Sequence, residues 1–251
     1  MGAMCDSSSD DVAGRPERRA GRGKIGKRPH DSKPHLTYFN LWARCGHIRL
    51  LMKHAGQEFE DVVPGENGAA PWPEMKAANP SLGGVPWLEM DGKIYNQSHA
   101  ILRALAAENG YEASDPWVQY ESDWVFEVFG DHLEKEFWVP AIKGIQGKEP
   151  TEEDNTKAME CMCKLLDALE ERFKDGRKYC AGNVLTASDF KLLNTVCAFI
   201  ENPNGKFQDQ FDAYNVEYQK RTNVKRIVDS LKKENGLEAY IAECHAKKYT
   251  F

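Results

Sequence analysis

The sequence predicts an α/β domain followed by an all-helical domain, and three observations support this fold class. Strand-like and helix-like patterns follow one another in the order βαβαββα over residues 34–110. Asp91-Gly92, a dipeptide typical of tight hairpins, separates the last two strand patterns. From Asp115 onward the apolar residues recur at helical spacing, and no convincing strand pattern is found.

In the first domain, the period of the apolar residues assigns each element. Alternation through Leu36, Tyr38 and Leu41 predicts a short strand, and helical spacing begins near Cys45, so Tyr38 lies where strand gives way to loop. The remaining predicted elements are a strand at 57–64, a short helix at Trp72–Ala78, strands at 85–90 and 93–95, and a helix from Ser98, its expected N-cap, to about Gly110. A phenol in the position of Tyr38 can donate a hydrogen bond to an anion near the next helix N-terminus.

Capping residues mark the helix starts of the second domain. The three predicted starts are Asp115 with Pro116, Thr151 with Asp154, and Thr186 with Asp189. The last of these precedes an apolar helix at 190–200. We therefore expect Thr186 and Asp189 to stabilise the helical domain and to take no part in chemistry.

Composition limits the possible functions. Residues 1–33 contain hardly any large apolar side chain and predict a disordered basic tail. No apolar run approaches the roughly 20 residues that span a bilayer, so a membrane-spanning role is not expected. The seven cysteines are scattered and form no pair of CxxC units, so neither a zinc site nor a disulfide framework is indicated. A protein of a reducing compartment, without a nucleic-acid or membrane partner, fits best.

A set of short segments in a fixed order carries a resemblance to a known family. The segments are Leu36-Thr37-Tyr38-Phe39-Asn40 with Arg44 and Ile48-Arg49, Trp72-Pro73, Val85-Pro86-Trp87-Leu88-Glu89-Met90-Asp91-Gly92, Gln97-Ser98 with Ala100-Ile101, and Gly182-Asn183 to Asp189-Phe190. They span residues 35–250 and resemble the cytosolic glutathione transferases of the tyrosine type, most closely the sigma class that includes prostaglandin D synthases. The resemblance implies a thioredoxin-like domain at 34–110, a helical domain at 115–251, and a cytoplasmic homodimer that conjugates glutathione to small hydrophobic electrophiles.

The same resemblance assigns roles to single residues. Tyr38 is expected to donate a hydrogen bond to the glutathione sulfur and stabilise the thiolate, with Arg44 also near the sulfur. The remaining residues expected to bind glutathione are Trp72, Lys76, Val85, Pro86 with its cis peptide bond, Gln97, Ser98 and Asp131, the last reaching the glutathione of the partner subunit. The residues expected to line the electrophile pocket are Leu41, Trp42, Leu133 and Trp138. Gly130 replaces an acid that binds a divalent cation in some relatives, so no metal is predicted.

Cys45 marks a departure from the family pattern. The family's Gly-Arg-Ala-Glu is here Ala43-Arg44-Cys45-Gly46. A thiol near a helix N-terminus and beside an arginine favours the thiolate, so a cysteine-based thiol-disulfide oxidoreductase is an alternative function. An ordinary small buried residue is the other interpretation of Cys45.

A third hypothesis is a non-catalytic relative, such as a lens crystallin or a carrier of hydrophobic ligands. A damaged glutathione site would be its signature, whereas Tyr38, Arg44, Gln97 and Ser98 are all present. The sequence identifies neither the electrophile nor the main reaction, which leaves prostaglandin isomerisation and peroxide reduction open beside conjugation.

Overall fold

The computed structural model describes residues 30, 32–78, 84–133, 136–205 and 207–250. Most of the predicted N-terminal tail lies outside these residues. Within them, a four-stranded mixed sheet with helices is followed by a helical region, and the predicted fold class is confirmed.

The described chain contains four short strands and helices of up to 21 residues. The strands are β1 His35–Thr37, β2 Glu60–Val62, β3 Trp87–Met90 and β4 Lys93–Asn96. The helices are α1 Gly46–His54, α2 Trp72–Ala78, α3 Ser98–Asn109, α4 Pro116–Leu133, α5 Val139–Ile145, α6 Glu152–Arg172, α7 Ala187–Phe199, α8 Gln208–Gln219, α9 Thr222–Lys232 and α10 Leu237–Ala246. A 3-10 turn at Glu136–Trp138 leads into α5.

The sheet has the strand order β2-β1-β3-β4, in which β1 runs parallel to β2 and antiparallel to β3. The predicted hairpin between β3 and β4 is confirmed, because Asp91 and Gly92 both have positive φ angles of 52° and 68°. The Val85-Pro86 peptide bond just before β3 is cis, as the resemblance implies. Since β1 is an inner strand between β2 and β3, the residue that follows β1 lies at the end of a central strand of the sheet.

Predicted boundaries differ from the structure at several elements, among them two in the first domain. The strand predicted at 57–64 is only Glu60–Val62, because pairing with the three-residue strand β1 limits its length. Ser98 is the first residue of α3, and Gln97, at a φ of 68°, is the N-cap without a side-chain capping bond. The prediction of Ser98 as N-cap is therefore wrong by one residue, and its hydroxyl is not used to cap the helix.

The three predicted helix starts are confirmed. The Asp115 carboxylate accepts hydrogen bonds from the backbone N–H groups of Trp117 and Val118 at 2.8 and 3.2 Å. Thr151 and Asp154 form a capping box at the start of α6. The fully buried Asp189 carboxylate accepts hydrogen bonds from the backbone N–H groups of Thr186 and Cys180, each at 2.8 Å. This last cap fixes the position of α7, which packs directly on α1.

Candidate active site

A cavity of about 200 Å³ lies between the first domain and the helices of the second. One side, called here the N-terminal wall, consists of Ala43, Arg44, Gln97, Ser98 and His99. The opposite side, called here the helical wall, consists of Phe129, Leu133, Trp138, Lys191, Asn194, Thr195 and Phe199. The cavity therefore joins polar groups at the start of α3 to a wall in which apolar side chains stand beside Lys191, Asn194 and Thr195.

Tyr38 follows β1 directly and lies next to the N-terminal wall. Its hydroxyl accepts a hydrogen bond from the backbone N–H of Arg44, with 3.4 Å between the two heavy atoms. Burial, and secondly the neighbouring Cys45 thiol, raise the pKa of Tyr38 to about 12. The phenol therefore keeps its proton throughout the physiological range and can act as a hydrogen-bond donor.

Arg49 holds the loop that carries Tyr38. Its guanidinium is fully buried and donates to the carbonyl oxygens of Leu41 at 2.6 Å and Phe39 at 3.1 Å, and to the Asp61 carboxylate at 2.8 Å. The same group lies 5.8 Å from the centre of the Tyr38 ring. A buried charge is tolerated only when it is paired in this way, so Arg49 fixes the backbone between β1 and α1.

The helical domain holds the same loop from the other side. The side-chain amide of Asn194 on α7 donates to the Ala43 carbonyl at 2.9 Å. Ala43 has a positive φ of 25°, a conformation that disfavours any residue with a Cβ. At Gly46 an added Cβ would collide with the Asn194 amide oxygen and the Trp42 ring. The close approach of α7 to α1 therefore requires glycine at this position.

The other predicted glutathione ligands are distributed along the first domain. Gln97 is exposed and Ser98 half-buried, and both line the cavity. Trp72 is half-buried on α2 and packs edge-on against Phe39, with ring centres 5.3 Å apart. The predicted ligands outside the cavity lining are Tyr38, Trp72, Lys76, exposed in the last turn of α2, half-buried Val85, buried Pro86 and exposed Asp131 on α4.

The four residues predicted for the electrophile pocket separate into two pairs. Leu133 and Trp138 lie in the helical wall. Trp42 is instead fully buried, with its ring against His245 and Tyr249, and its backbone N–H donates to the Thr250 carbonyl at 2.9 Å. Residues near Thr250 thus cover Trp42, and Leu41 forms a β-bridge to Thr250. Neither Trp42 nor Leu41 lines the cavity.

Cys45 occupies the N-cap of α1, as its place in the sequence suggests, but its thiol is fully buried. Burial raises its pKa to about 12, which outweighs the opposing effect of the Arg49 charge. The expectation of a stabilised thiolate at this position is therefore wrong, because desolvation exceeds the attraction of the helix N-terminus and the arginine.

Several cavity residues were not predicted from the sequence. They are Ala43, His99, Phe129, Lys191, Asn194, Thr195 and Phe199. Burial and the nearby Lys191 charge lower the pKa of His99 to about 4, so its imidazole is neutral at pH 7. The only sequence signal was the spacing of Lys191, Asn194 and Thr195, which interrupts an otherwise apolar helix on one face.

The described ranges contain neither a candidate metal cluster nor a candidate membrane span. No group of three or more His, Cys, Asp or Glu side chains there could hold a metal ion. No helix in the same part of the chain is long and apolar enough to cross a membrane.

Comparison with known proteins gives the family. The models for the N-terminal and C-terminal domains of glutathione S-transferase match residues 44–108 and 133–244. Hematopoietic prostaglandin D synthase of Gallus gallus is 34% identical over 155 residues, which are 62% of this chain and 73% of that protein. The glutathione S-transferase from Ascaris lumbricoides superposes with a TM-score of 0.68 at 24% identity, covering 84% of this chain and 97% of that structure. A Nu-class transferase from Haemonchus contortus gives a TM-score of 0.64 at 27% identity, with 84% and 96% covered. The chain belongs to the glutathione S-transferase family and is a transferase.

Proposed function

We propose that the protein conjugates glutathione to small hydrophobic electrophiles and that the Tyr38 hydroxyl activates the glutathione thiol. The observation that carries this proposal is the position of the Tyr38 phenol, which is buried, protonated at pH 7 and adjacent to the cavity through the Arg44 backbone N–H. A donor in this place stabilises an anion that forms beside it.

The chemistry follows from the thiol pKa. A free thiol has a pKa near 8.5 and is mostly protonated at pH 7, so lowering the pKa by about two units makes the thiolate predominant. The thiol proton leaves to solvent, Tyr38 donates its hydrogen bond to the sulfur, and Arg44 adds a positive charge nearby. The sulfur then forms a bond to the electrophilic carbon, and the leaving group departs with its bonding electrons.

The rest of glutathione is placed by the N-terminal wall and its surroundings. Gln97 and Ser98 stand at the start of α3, where free backbone N–H groups favour the γ-glutamyl carboxylate. The groups proposed for the remainder are Trp72 and Lys76 at the glycyl end, Val85 with Pro86 at the cysteinyl backbone, and Asp131 toward the glutathione of a partner subunit. Leu133 and Trp138 contact the electrophile.

The proposal extends to class, assembly and location. Similarity to the Gallus gallus prostaglandin D synthase favours the sigma class, and the same thiolate could isomerise a prostaglandin endoperoxide or reduce a peroxide. We propose a homodimer because Asp131 is exposed on α4 and serves no role in its own cavity. Six described cysteines are unpaired, which supports the reducing environment of the cytoplasm.

Two other functions are weaker. A thiol-disulfide oxidoreductase requires an accessible, ionised thiol, and Cys45 is neither accessible nor acidic. A non-catalytic carrier does not require Arg44, Gln97 and Ser98 to line one cavity with the Tyr38 hydroxyl bonded to the Arg44 backbone beside it.

The test is the pH dependence of conjugation to chlorodinitrobenzene for three proteins. Removing the donor in Tyr38→Phe should return the thiol to its free pKa and lower the rate at pH 7 about 20-fold, with the two rates converging above about pH 9. Cys45→Ala should remain within about twofold of the wild type, since a buried protonated thiol is inert. Loss of activity in Cys45→Ala alone, or an unchanged rate at pH 7 in Tyr38→Phe, would overturn the proposal.

A further inference from the structure

The segment that follows α10 returns to the loop between β1 and α1. The Thr250 carbonyl accepts the hydrogen bond from the Trp42 backbone N–H, and Thr250 forms the bridge to Leu41. Tyr249, one residue earlier, is 6% exposed, and its ring packs edge-on against the Trp42 ring. A side chain that is distant in sequence therefore lies against the loop that carries Tyr38.

Two hydrogen bonds fix the backbone of Tyr249 without using its hydroxyl. Its N–H donates to the Cys244 carbonyl at 3.0 Å, and its carbonyl accepts from the side-chain amide of the buried Asn202 at 3.2 Å. The Tyr249 hydroxyl donates instead to the Asp61 carboxylate on β2, at 3.0 Å. Burial raises the pKa of Tyr249, so the phenol keeps its proton and acts as the donor.

Asp61 uses its two carboxylate oxygens for two different donors. Oδ2 accepts from Tyr249, and Oδ1 accepts from the Arg49 guanidinium at 2.8 Å. Among the described residues, Asp61 is the one carboxylate paired with the fully buried Arg49, whose Nε has no hydrogen-bond partner there. The Asp61 side chain is still 23% exposed, so water competes for its carboxylate. The second bond, from Tyr249, therefore keeps the counter-charge in contact with a buried cation.

Arg49 connects this counter-charge to Tyr38. Its guanidinium donates to two carbonyl oxygens of the loop, and it lies 5.8 Å from the centre of the Tyr38 ring and 5.0 Å from the centre of the Tyr249 ring. If Asp61 turns toward solvent, the guanidinium loses its charge partner, and the carbonyls that it fixes shift together with the Tyr38 hydroxyl. A hydrogen bond weakens steeply when its donor is displaced, so the stabilisation of a thiolate depends on this geometry.

We propose that Tyr249 is a positioning residue for thiol activation: its hydroxyl holds Asp61 against Arg49 and thereby keeps Tyr38 in the geometry that stabilises the thiolate. This inference rests on the proposed role of Tyr38 and adds a residue that lies outside the cavity lining. Because Tyr249 acts through the loop rather than on a substrate, loss of its hydroxyl should raise the thiol pKa and leave glutathione binding unchanged.

The experiment measures the pH dependence of chlorodinitrobenzene conjugation at saturating glutathione for the wild type, Tyr38→Phe, Tyr249→Phe and the control Tyr179→Phe. Tyr179 is a matched control because it is 7% exposed and its hydroxyl also donates to a carboxylate, that of Glu234 in the helical domain. Tyr249→Phe should slow conjugation about fivefold below about pH 6, which is an upward shift of about 0.7 unit in the thiol pKa, and should reach the wild-type rate above about pH 9. The Kd for glutathione should stay within about twofold, and Tyr179→Phe should match the wild type at every pH.

Asp61→Asn tests the link between Tyr249 and Arg49. It keeps the shape of the side chain and removes its charge, so it should move the same pH profile upward. Adding Tyr249→Phe to Asp61→Asn should give no further shift, because both substitutions act through the same ion pair. Circular dichroism checks the folding of each variant, and Tyr249→Phe beside Tyr179→Phe still decides the question if Asp61→Asn does not fold.

The other outcomes contradict the inference in different ways. A loss in Tyr249→Phe that is equal at every pH would show a purely structural role and overturn it. An unchanged profile in Tyr249→Phe, beside a shifted one in Tyr38→Phe, would overturn the inference alone, as would additive shifts in the double variant. If Tyr38→Phe also keeps the wild-type profile, the proposed function fails and the inference fails with it.

Discussion

The two walls of the cavity are built in different ways. The N-terminal wall follows a loop whose carbonyl oxygens are fixed by the buried Arg49 and by Asn194. The helical wall consists of side chains on α4 and α7, which depend on the placement of whole helices. We therefore expect substitutions in the N-terminal wall to change glutathione chemistry and substitutions in the helical wall to change the choice of electrophile.

The dependence of the helical wall on one buried cap predicts the largest effect. Asp189→Ala would leave the N–H groups of Cys180 and Thr186 without acceptors in the core, and we expect unfolding to become easier by about 3 kcal/mol. Asp154→Ala is the matched control, because Asp154 forms the corresponding box on α6 and is only half-buried. Urea denaturation measures both, and equal losses would contradict the special role of the buried cap.

The contribution of Asp189 to folding stability depends on pH. Burial raises the pKa of Asp189 to about 6, above the value of about 3.9 expected in the unfolded chain. The folded state therefore binds more protons between these values, so the contribution of Asp189 to stability is complete below pH 4 and is lost as the pH rises through 6. Asp189→Asn, which cannot titrate, should lack this decline in thermal melts over the same window.

The close packing of α7 against α1 predicts the next effect. Gly46→Ala would place a Cβ against the Asn194 amide oxygen and the Trp42 ring, and repacking should cost about 2 kcal/mol of folding free energy. Gly130→Ala on α4 is the control, because its added Cβ meets open space. If Gly46→Ala loses no more folding free energy than Gly130→Ala, α7 does not pack closely against α1 at this position.

The assignment of glutathione to the N-terminal wall predicts a smaller effect. Ser98→Ala should raise the Kd for glutathione about fivefold, since one hydrogen bond to the γ-glutamyl end is lost. Thr195→Val in the helical wall is the counterpart and should leave that Kd unchanged while altering the KM for the electrophile. Calorimetric titration of both variants with glutathione decides between the walls, and an unaltered Kd in Ser98→Ala would refute the assignment.

The strained loop residue predicts the smallest effect. Ala43 has a positive φ, and glycine adopts such angles without a Cβ penalty, so Ala43→Gly should stabilise the fold by about 0.5 kcal/mol. Ala107→Gly within α3 should have the opposite sign, because a helical backbone disfavours glycine. If thermal melts show both substitutions lowering Tm, the loop conformation is not strained at Ala43.

The features around the two walls could be predicted from the sequence to different extents. The Asp91-Gly92 hairpin could be predicted because a local residue pair determines the turn, and the start of α3 was predicted to within one residue. Lys191 could not be predicted, since α7 was recognisable only as an apolar helix, and its packing against α1 decides which face meets the cavity. Trp42 shows the same limit, because its neighbours His245 and Tyr249 come from the far end of the chain.

Cys45 shows why local chemistry alone was insufficient. Its position at a helix N-terminus beside an arginine predicts an acidic thiol, and that position is confirmed. Complete burial reverses the result, because removing a thiolate from water costs more than the local charges return. Burial depends on tertiary packing, which the sequence pattern around Cys45 does not contain.

Thiol activation by Tyr38 is tested most simply by the pKa of the glutathione thiol while glutathione is bound to the protein. The ultraviolet absorbance of the thiolate, titrated on the wild type and on Tyr38→Phe at saturating glutathione, gives this pKa without any electrophile. If Tyr38 stabilises the thiolate, we expect a wild-type pKa about two units below the free value of roughly 8.5, and a value near 8.5 in Tyr38→Phe. The same lowered pKa in both proteins would show that Tyr38 does not stabilise the thiolate.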